Sequence, residues 1–472
     1  MEIFPVYLLF FVVFVNRYVV SLLVKSYEGL VESEWNETFE PTVTVVIPLF
    51  NEGKQIYDTI QSLLALDYPE EKLSVIVVDD CSTDDSWSWA QKAAAENPRV
   101  SAIQNAHNMG KRRGINNAVR HATTELIVSV DSDVIVDRMA VRELVRRFTD
   151  DNIAAVGGRV HVLNANENWL TRMQAIKYWF GYEYMKDIEK AFKSVMCLSG
   201  CLTAYRREVL IELEPILENR RLFGVEIKYG EDRFLTRQIV KRGYQTVFTL
   251  DAVCWTVAPK TLGGYFNQQL RWRRSNIIDL LGGITHAWNL HPVIAVHYLG
   301  LFAILFSYPL VVFHAIVRGT FWEGAAFHSL VLAFLGTVYA FQTRHYPAAA
   351  KVHPLWFMCM TFVMPVTYLI ATPLAIFTLD SSSWETRGHG ALKPAKAEAH
   401  VETEAHALAA AEPTSALADA EAAPEEVAAA TRATPSMPPP SRGPRLVPRQ
   451  PRDEASDTDA ASAEPSDIRE AA

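Results

Sequence analysis

Four long apolar runs constrain this chain before any motif does. Residues 4–24, 292–317, 322–342 and 355–379 each approach or exceed the ~20 apolar residues with which a helix crosses a hydrocarbon core. They leave one long stretch, 40–260, for a folded domain outside lipid. Arg17 interrupts the first run and is costly at mid-bilayer unless it faces protein or water. No small-residue cleavage site follows, so the run reads as an anchor rather than a signal peptide. Pro365 and Pro373 break the last run, which suits a bent, interfacial segment better than a straight span.

Between the first two runs the pattern alternates. "TVTVVIPLF" (42–50) and "LSVIVVDD" (73–80) are β-branched, continuously apolar runs, and each is followed by a helix-compatible stretch. "VSAIQN" (100–105), a helix from Gly110 and "ELIVSVDSD" (125–133) continue the series. Strands alternating with helices predict an α/β fold, a parallel sheet covered on both faces. Ligands in such sheets bind at the carboxyl ends of strands. Two strands here end in acid, at Asp79-Asp80 and at Asp131-Ser132-Asp133.

The overall charge of −9 is uninformative about this domain, because from Ala391 onward 15 Asp and Glu stand against 8 Lys and Arg. That Ala-, Pro- and Glu-rich tail buries too little surface to offset its ordering entropy and reads as disordered. No basic block or RNA-type aromatic motif appears, so no nucleic-acid partner is expected. Five cysteines (Cys81, Cys197, Cys201, Cys254 and Cys359) lack metal-ligand spacing and read as reduced thiols.

Asp131 and Asp133, one residue apart at a strand end, can hold Mg²⁺ or Mn²⁺ bridging to substrate phosphates; an ordinary acidic turn is the other reading. Asp80 suits either a helix N-cap or an acceptor for a uracil or ribose. Lys111-Arg112 opens a predicted helix, where cations and backbone N–H groups suit a diphosphate. Glu231-Asp232-Arg233 is read with Gln268, Arg271 and Trp272. Sugar transfer from a nucleotide donor needs a base, a counter-charge for the departing diphosphate and a surface for the acceptor ring. A carboxylate, a metal with Arg, and Trp would supply them. Residues 264–282 also read as an amphipathic helix at a lipid surface. In 166–192, Trp169, Leu170, Met173, Ile176 and Phe180 recur with a helical period that fits another interface helix.

The ordered set Asp80, Asp131-x-Asp133, Gly230-Glu231-Asp232 and Gln268-x-x-Arg271-Trp272 resembles the D, DxD, (E/D)D, QxxRW signature of processive family 2 glycosyltransferases. "VVIPLFNE" (45–52) is similar to that family's first strand, and "GKR" and "VDSD" resemble hyaluronan synthases and rhizobial chitin-oligosaccharide synthases. The resemblance covers roughly 40–390 and implies a GT-A, Rossmann-like catalytic domain between membrane helices. It implies Asp232 as general base, and Asp131 with Asp133 as ligands of Mg²⁺ or Mn²⁺ and the UDP diphosphate. Asp80 would contact the uridine and Lys111 the nucleotide. Gln268, Arg271 and Trp272 would border the acceptor and the leaving diphosphate, with Glu231 and Arg233 beside them. Ser199-Gly200-Cys201 resembles the acceptor-flanking segment, with Cys201 where hyaluronan synthases commonly carry Pro. Trp384 and Arg387 resemble a terminal W-x-T-R gating element, with Glu385 in place of the usual small residue.

The relatives divide on details: GEDR points to chitin-oligosaccharide synthases, the WETR element to hyaluronan synthases, and the polymer stays open. The expected partners are UDP-sugar donors, a growing polysaccharide and membrane lipids, and a homo-oligomer is entertained. A cytosolic catalytic domain in a multi-pass plasma-membrane protein requires 355–379 to lie at the interface, or Trp384 would fall on the far side from UDP. The expected segments are an anchor (1–28), the catalytic domain (40–260), an interface helix (261–290), two spans (291–345), an interfacial segment with the gate (353–390) and the tail (391–472). Rival readings are a non-processive transferase acting on a lipid carrier and a catalytically silent membrane scaffold.

Overall fold

The computed structural model describes residues 35–379 apart from 223 and 228, and residues 8, 11–13, 15, 16 and 23. Most of the first apolar run, Arg17 included, lies outside the described residues, as do Trp384, Arg387 and the tail.

The first half of the domain follows the predicted alternation: β1 (Val43–Leu49), α1 (Gln55–Leu64), β2 (Leu73–Asp79), α2 (Ser86–Glu96), β3 (Val100–Gln104), α3 (Lys111–His121) and β4 (Leu126–Ser129). β1 pairs in parallel with β2 and β4, and β2 with β3. Every residue of β1 and β4 is buried, the mark of central strands covered on both faces. Alternation survives in the direction of the side chains. Val43, Val45, Ile47 and Leu49 join one core and Val46 the other, on opposite faces of the sheet. Helix α1 turns Ile56, Thr59, Ile60 and Leu63 inward at helical spacing.

The second half departs from simple alternation. It runs β5 (Val134–Val136), α4 (Ala140–Val145), β6 (Ile153–Val162), α5 (Trp169–Tyr178), a π-helical turn (Trp179–Met185) and α6 (Lys186–Lys190). Then come β7 (Thr203–Arg206), α7 (Arg207–Glu218), a hairpin of β8 (Arg221–Leu222) and β9 (Val225–Glu226), α8 (Glu231–Lys241) and β10 (Gln245–Thr256). The eight-stranded sheet has the order β3-β2-β1-β4-β7-β6-β10-β5. β7 is antiparallel to both neighbours and β5 to β10, so the sheet is mixed.

Beyond the sheet lie α9 (Leu262–Gly283), α10 (Pro292–Arg318) and α11 (Phe321–Gln342). Pro354–Phe377 follows as a 3₁₀ turn, α12 (Met360–Val366), a π-helical turn and α13 (Thr372–Phe377). Three segments, Pro292–Arg318, Phe321–Gln342 and Pro354–Phe377, are long and apolar enough to cross a membrane, which makes this a membrane-associated chain. The last is a run of short helical pieces, with Pro354, Pro365 and Pro373 along it. Of the apolar positions in 166–192, Leu170, Met173 and Ile176 enter the main core, while Trp169 is 45% exposed. Trp179 meets Tyr339 and Phe357 edge-on, joining the domain to α11 and the 3₁₀ turn.

Candidate active site

A cavity of about 450 Å³ opens at the carboxyl ends of β1 and β4. Asp131, Ser132 and Asp133 reach it from the turn after β4, and Glu231, Asp232 and Arg233 from the first turn of α8. Gln268, Arg271 and Trp272 line it from α9, and Lys111 from the start of α3. Ser199, Gly200 and Cys201 close one wall. Residues spread over more than 160 positions of sequence therefore share one space, which continues past α9 to His297, Leu301 and Leu305 of α10.

The electrostatic centre is Lys111. Its Nζ lies 2.6 Å from Asp131 Oδ1 and 3.0 Å from Glu231 Oε1. Burial works against the ammonium, but Asp131 and then Glu231 more than offset it, so its pKa lies above the ordinary lysine range. Burial likewise opposes the charges of Asp131 and Glu231. The Lys111 cation outweighs it, and both carboxyls sit below their usual range. Asp232 goes the other way. Burial, then the charge of Glu231, push it above the ordinary aspartate value against the pull of Arg233 and Lys111. A carboxylate raised beside one that is lowered is the pattern that separates a proton-accepting group from a charge-holding one.

Backbone geometry fixes these side chains. Gly230 caps α8 at φ +69°, a left-handed conformation that L side chains rarely adopt. A Cβ there would lie 2.0 Å from Ser275 Oγ, so α8 and α9 touch at this glycine. Gly200 serves a second close approach, since its Cβ would fall 2.9 Å from Lys111 Nζ. Asp232 Oδ1 accepts the Arg233 backbone N–H at 2.8 Å.

Asp80 sits apart from this set. It is 1% exposed, and its oxygens accept Asn105 Nδ2 at 3.0 Å and the Met109 and Gly110 backbone N–H groups, each at 2.7 Å. It holds the loop that presents Lys111 and caps no helix. The residue before α2 is Asp85, and Asp84 accepts the Ser86 and Gly53 backbone N–H groups.

A hard divalent cation fits the acidic pair. Asp131 and Asp133 both line the cavity and offer oxygen donors only, which suits Mg²⁺ or Mn²⁺. No group of three or more His, Cys, Asp or Glu among the described residues is arranged to hold a metal ion by itself. An ion that takes one or two carboxylates plus substrate phosphates does not need one. Arg271, whose charge acts on Asp131, has its Nε buried without a hydrogen-bond partner among the described residues. Cys201 donates its S–H to Asp131 Oδ2 at 3.4 Å, and burial followed by Asp131 holds that thiol well above the usual cysteine pKa.

Motif reading missed the contribution of α5 and the turn after it. Lys177, Tyr178 and Tyr182 line the cavity. Tyr182 donates to Ser199 Oγ at 3.0 Å, and Tyr178 lies 6.0 Å from the Trp272 ring. The Tyr178–Tyr182 spacing was the available signal, two aromatic hydroxyls four residues apart on a helix.

Comparison with known proteins agrees with the geometry. The profile of "Glycosyltransferase like family 2" matches residues 41–275. An N-acetylglucosaminyltransferase of Bradyrhizobium diazoefficiens is 32% identical over 366 residues, covering 74% of this chain and 72% of that protein. One from Mesorhizobium japonicum is 30% identical, covering 74% of this chain and 83% of that protein. Among solved structures, the Pyrobaculum calidifontis mannosyltransferase PcManGT, in complex with GDP-Man and Mn²⁺, superposes with a TM-score of 0.54 at 22% identity. It covers 78% of this chain and 96% of that one, and the likeness shows the GT-A-type fold.

Proposed function

Because this chain belongs to glycosyltransferase family 2, we propose that it is a membrane-embedded, inverting and processive β-glycosyltransferase. It polymerises UDP-GlcNAc, alone or with UDP-glucuronate, and passes the product through its own membrane helices. The relatives named N-acetylglucosaminyltransferase support the donor sugar. The observation that carries the reading is the single cavity, which joins the acidic pair, the raised carboxyl of Asp232 and the Gln268–Trp272 face, then runs on along α10.

In this reading Asp232 takes the proton of the acceptor hydroxyl. The hydroxyl oxygen bonds to the donor's anomeric carbon as the bond to the UDP oxygen breaks, so configuration inverts and UDP leaves. Asp131 and Asp133 would hold Mg²⁺ or Mn²⁺, which when bound neutralises charge on the diphosphate; the Mn²⁺ in the mannosyltransferase complex supports that choice. Lys111 and Arg271 add fixed positive charge facing the same group, preorganised for a developing anion. Glu231 keeps Lys111 charged and raises its neighbour Asp232. Trp272, backed by Tyr178, offers an aromatic face to the C–H surface of the acceptor ring.

The catalytic domain faces the cytosol of a multi-pass plasma-membrane protein, with Pro354–Phe377 at the interface. The broken helix supports this, as does the Tyr229 hydroxyl, which donates to Leu379 O at 2.7 Å and brings the end of that segment beside the site. The test is product analysis on the purified full chain, first with UDP-GlcNAc alone and then with UDP-glucuronate added. Long products support the reading. Single-sugar transfer would reject processivity, and no UDP release from either donor would reject the transferase.

A further inference from the structure

We infer that Lys177 forms an anion subsite on the acceptor side of the cavity, one that takes a carboxylate or phosphate carried by the acceptor. The inference rests on the transferase reading above. Three cations around the base have carboxylates beside them. Lys111 has Asp131 and Glu231, Arg237 meets Asp279 at 2.6 Å, and Arg233 feels Asp232 and Asp279. Lys177 has none. Its Nζ donates to Tyr265 Oη at 2.9 Å and to Gln269 Oε1 at 2.5 Å, both neutral, and the charge acting on it is the like-signed Arg273.

An ammonium carries three N–H donors, and these two bonds leave one in the wall of the cavity. Burial, then Arg273, push its pKa down to about 7, the cost of a cation without a counter-charge. A purely structural tie between α5 and α9 would need no charge, because a neutral donor could bridge Tyr265 and Gln269 without that cost. An anionic ligand supplies what the protein withholds. The donor diphosphate already has Lys111 and Arg271 facing it, so the missing anion belongs to the acceptor. Tyr265 and Gln269, the partners of Lys177, lie seven and three residues before Trp272 on α9, on one helix face, and put Lys177 on that side. Two sources share this chemistry: a uronate within the growing saccharide and the phosphate of a lipid-linked acceptor.

The experiment follows UDP release from UDP-GlcNAc by the full-length protein in detergent, with four acceptors. These are an N-acetylglucosamine disaccharide, a disaccharide ending in glucuronate, a polyprenyl-diphosphate-linked N-acetylglucosamine and its phosphate-free prenyl analogue. The wild type should favour one anionic acceptor over its neutral match by about 10–100-fold in kcat/KM, the range for one charge-assisted hydrogen bond. The favoured acceptor names the source. Lys177→Met should bring that ratio close to one, and Lys177→Arg should keep most of it. Equal use of charged and neutral acceptors by the wild type overturns the inference, as does a preference that survives Lys177→Met. The wild-type ratios decide even if Lys177→Met fails to fold. Absence of UDP release with all four acceptors would instead overturn the transferase reading.

Discussion

Asp232→Asn is expected to move activity and stability in opposite directions. The amide keeps the shape, and its oxygen can still accept the Arg233 backbone N–H that Asp232 Oδ1 accepts at 2.8 Å. The base is lost, so turnover should fall by ~10²–10⁴, equivalent to about 3–5 kcal/mol on the barrier. Stability should rise. In the folded chain the Asp232 pKa lies above its ordinary value because of burial and the adjacent Glu231. A carboxyl whose pKa is raised in the folded state ionises less readily there than in the unfolded chain, so stability falls as pH rises from the unfolded to the folded pKa and the full cost is present above the folded pKa. Below the unfolded value, about 4 for Asp, it is protonated in both states and costs nothing. The variant should therefore unfold at higher temperature than the wild type at pH 7–8, and the gain should shrink as pH falls towards that range. Both proteins should be heated without metal or UDP-sugar, since ligand binding adds its own stabilisation. UDP release measures the first effect, and intrinsic-fluorescence melting across pH the second. Wild-type turnover would refute the base. A variant less stable at pH 8 would refute the electrostatic account of the Glu231–Asp232 pair.

Asp133→Ala should abolish activity together with its dependence on Mg²⁺ or Mn²⁺; full wild-type turnover in excess chelator would end the metal assignment. Trp272→Ala should give a well-inserted enzyme that still releases UDP but makes short products. Normal-length polymer at a normal rate, on matched amounts of protein, would show that the ring is only an anchor at the membrane surface.

The central strands were legible because burial on both faces writes them as unbroken apolar runs, as in Val43–Leu49 and Leu73–Asp79. The motif residues were legible only as an ordered set that resembles a family signature, since singly Asp131-Ser132-Asp133 also suited an acidic turn and 264–282 a lipid-surface helix. The second half of the sheet was not, since β7 inserts between β4 and β6 and antiparallel pairing leaves no local trace in four residues. Asp80 shows a different gap. Its residue type suited a ligand contact or a helix cap, but nothing in the sequence showed that its oxygens accept from Asn105, Met109 and Gly110, which depends on where the loop before α3 comes to lie. Lys177 was overlooked because 166–192 was read for its apolar period alone. Only the packing of α5 against α9 reveals that this amine meets neutral partners.

The hydrogen bond from Tyr229 to Leu379 bears on how such proteins can be recombined. Tyr229 immediately precedes the glycine that caps the base-bearing helix, and its hydroxyl is tied to the far end of the membrane-associated segment. Arg274, two residues past Trp272, reaches Thr378 Oγ1 at 2.9 Å, and α9 packs along α13. The chain therefore has no clean seam between α9 and α10. A chimaera joining this catalytic domain to a relative's membrane helices would break contacts beside Asp232 even if both halves were intact. The two halves should therefore be exchanged together, and substitutions around Tyr229 and Arg274 should track changes at 378–379 rather than drift independently.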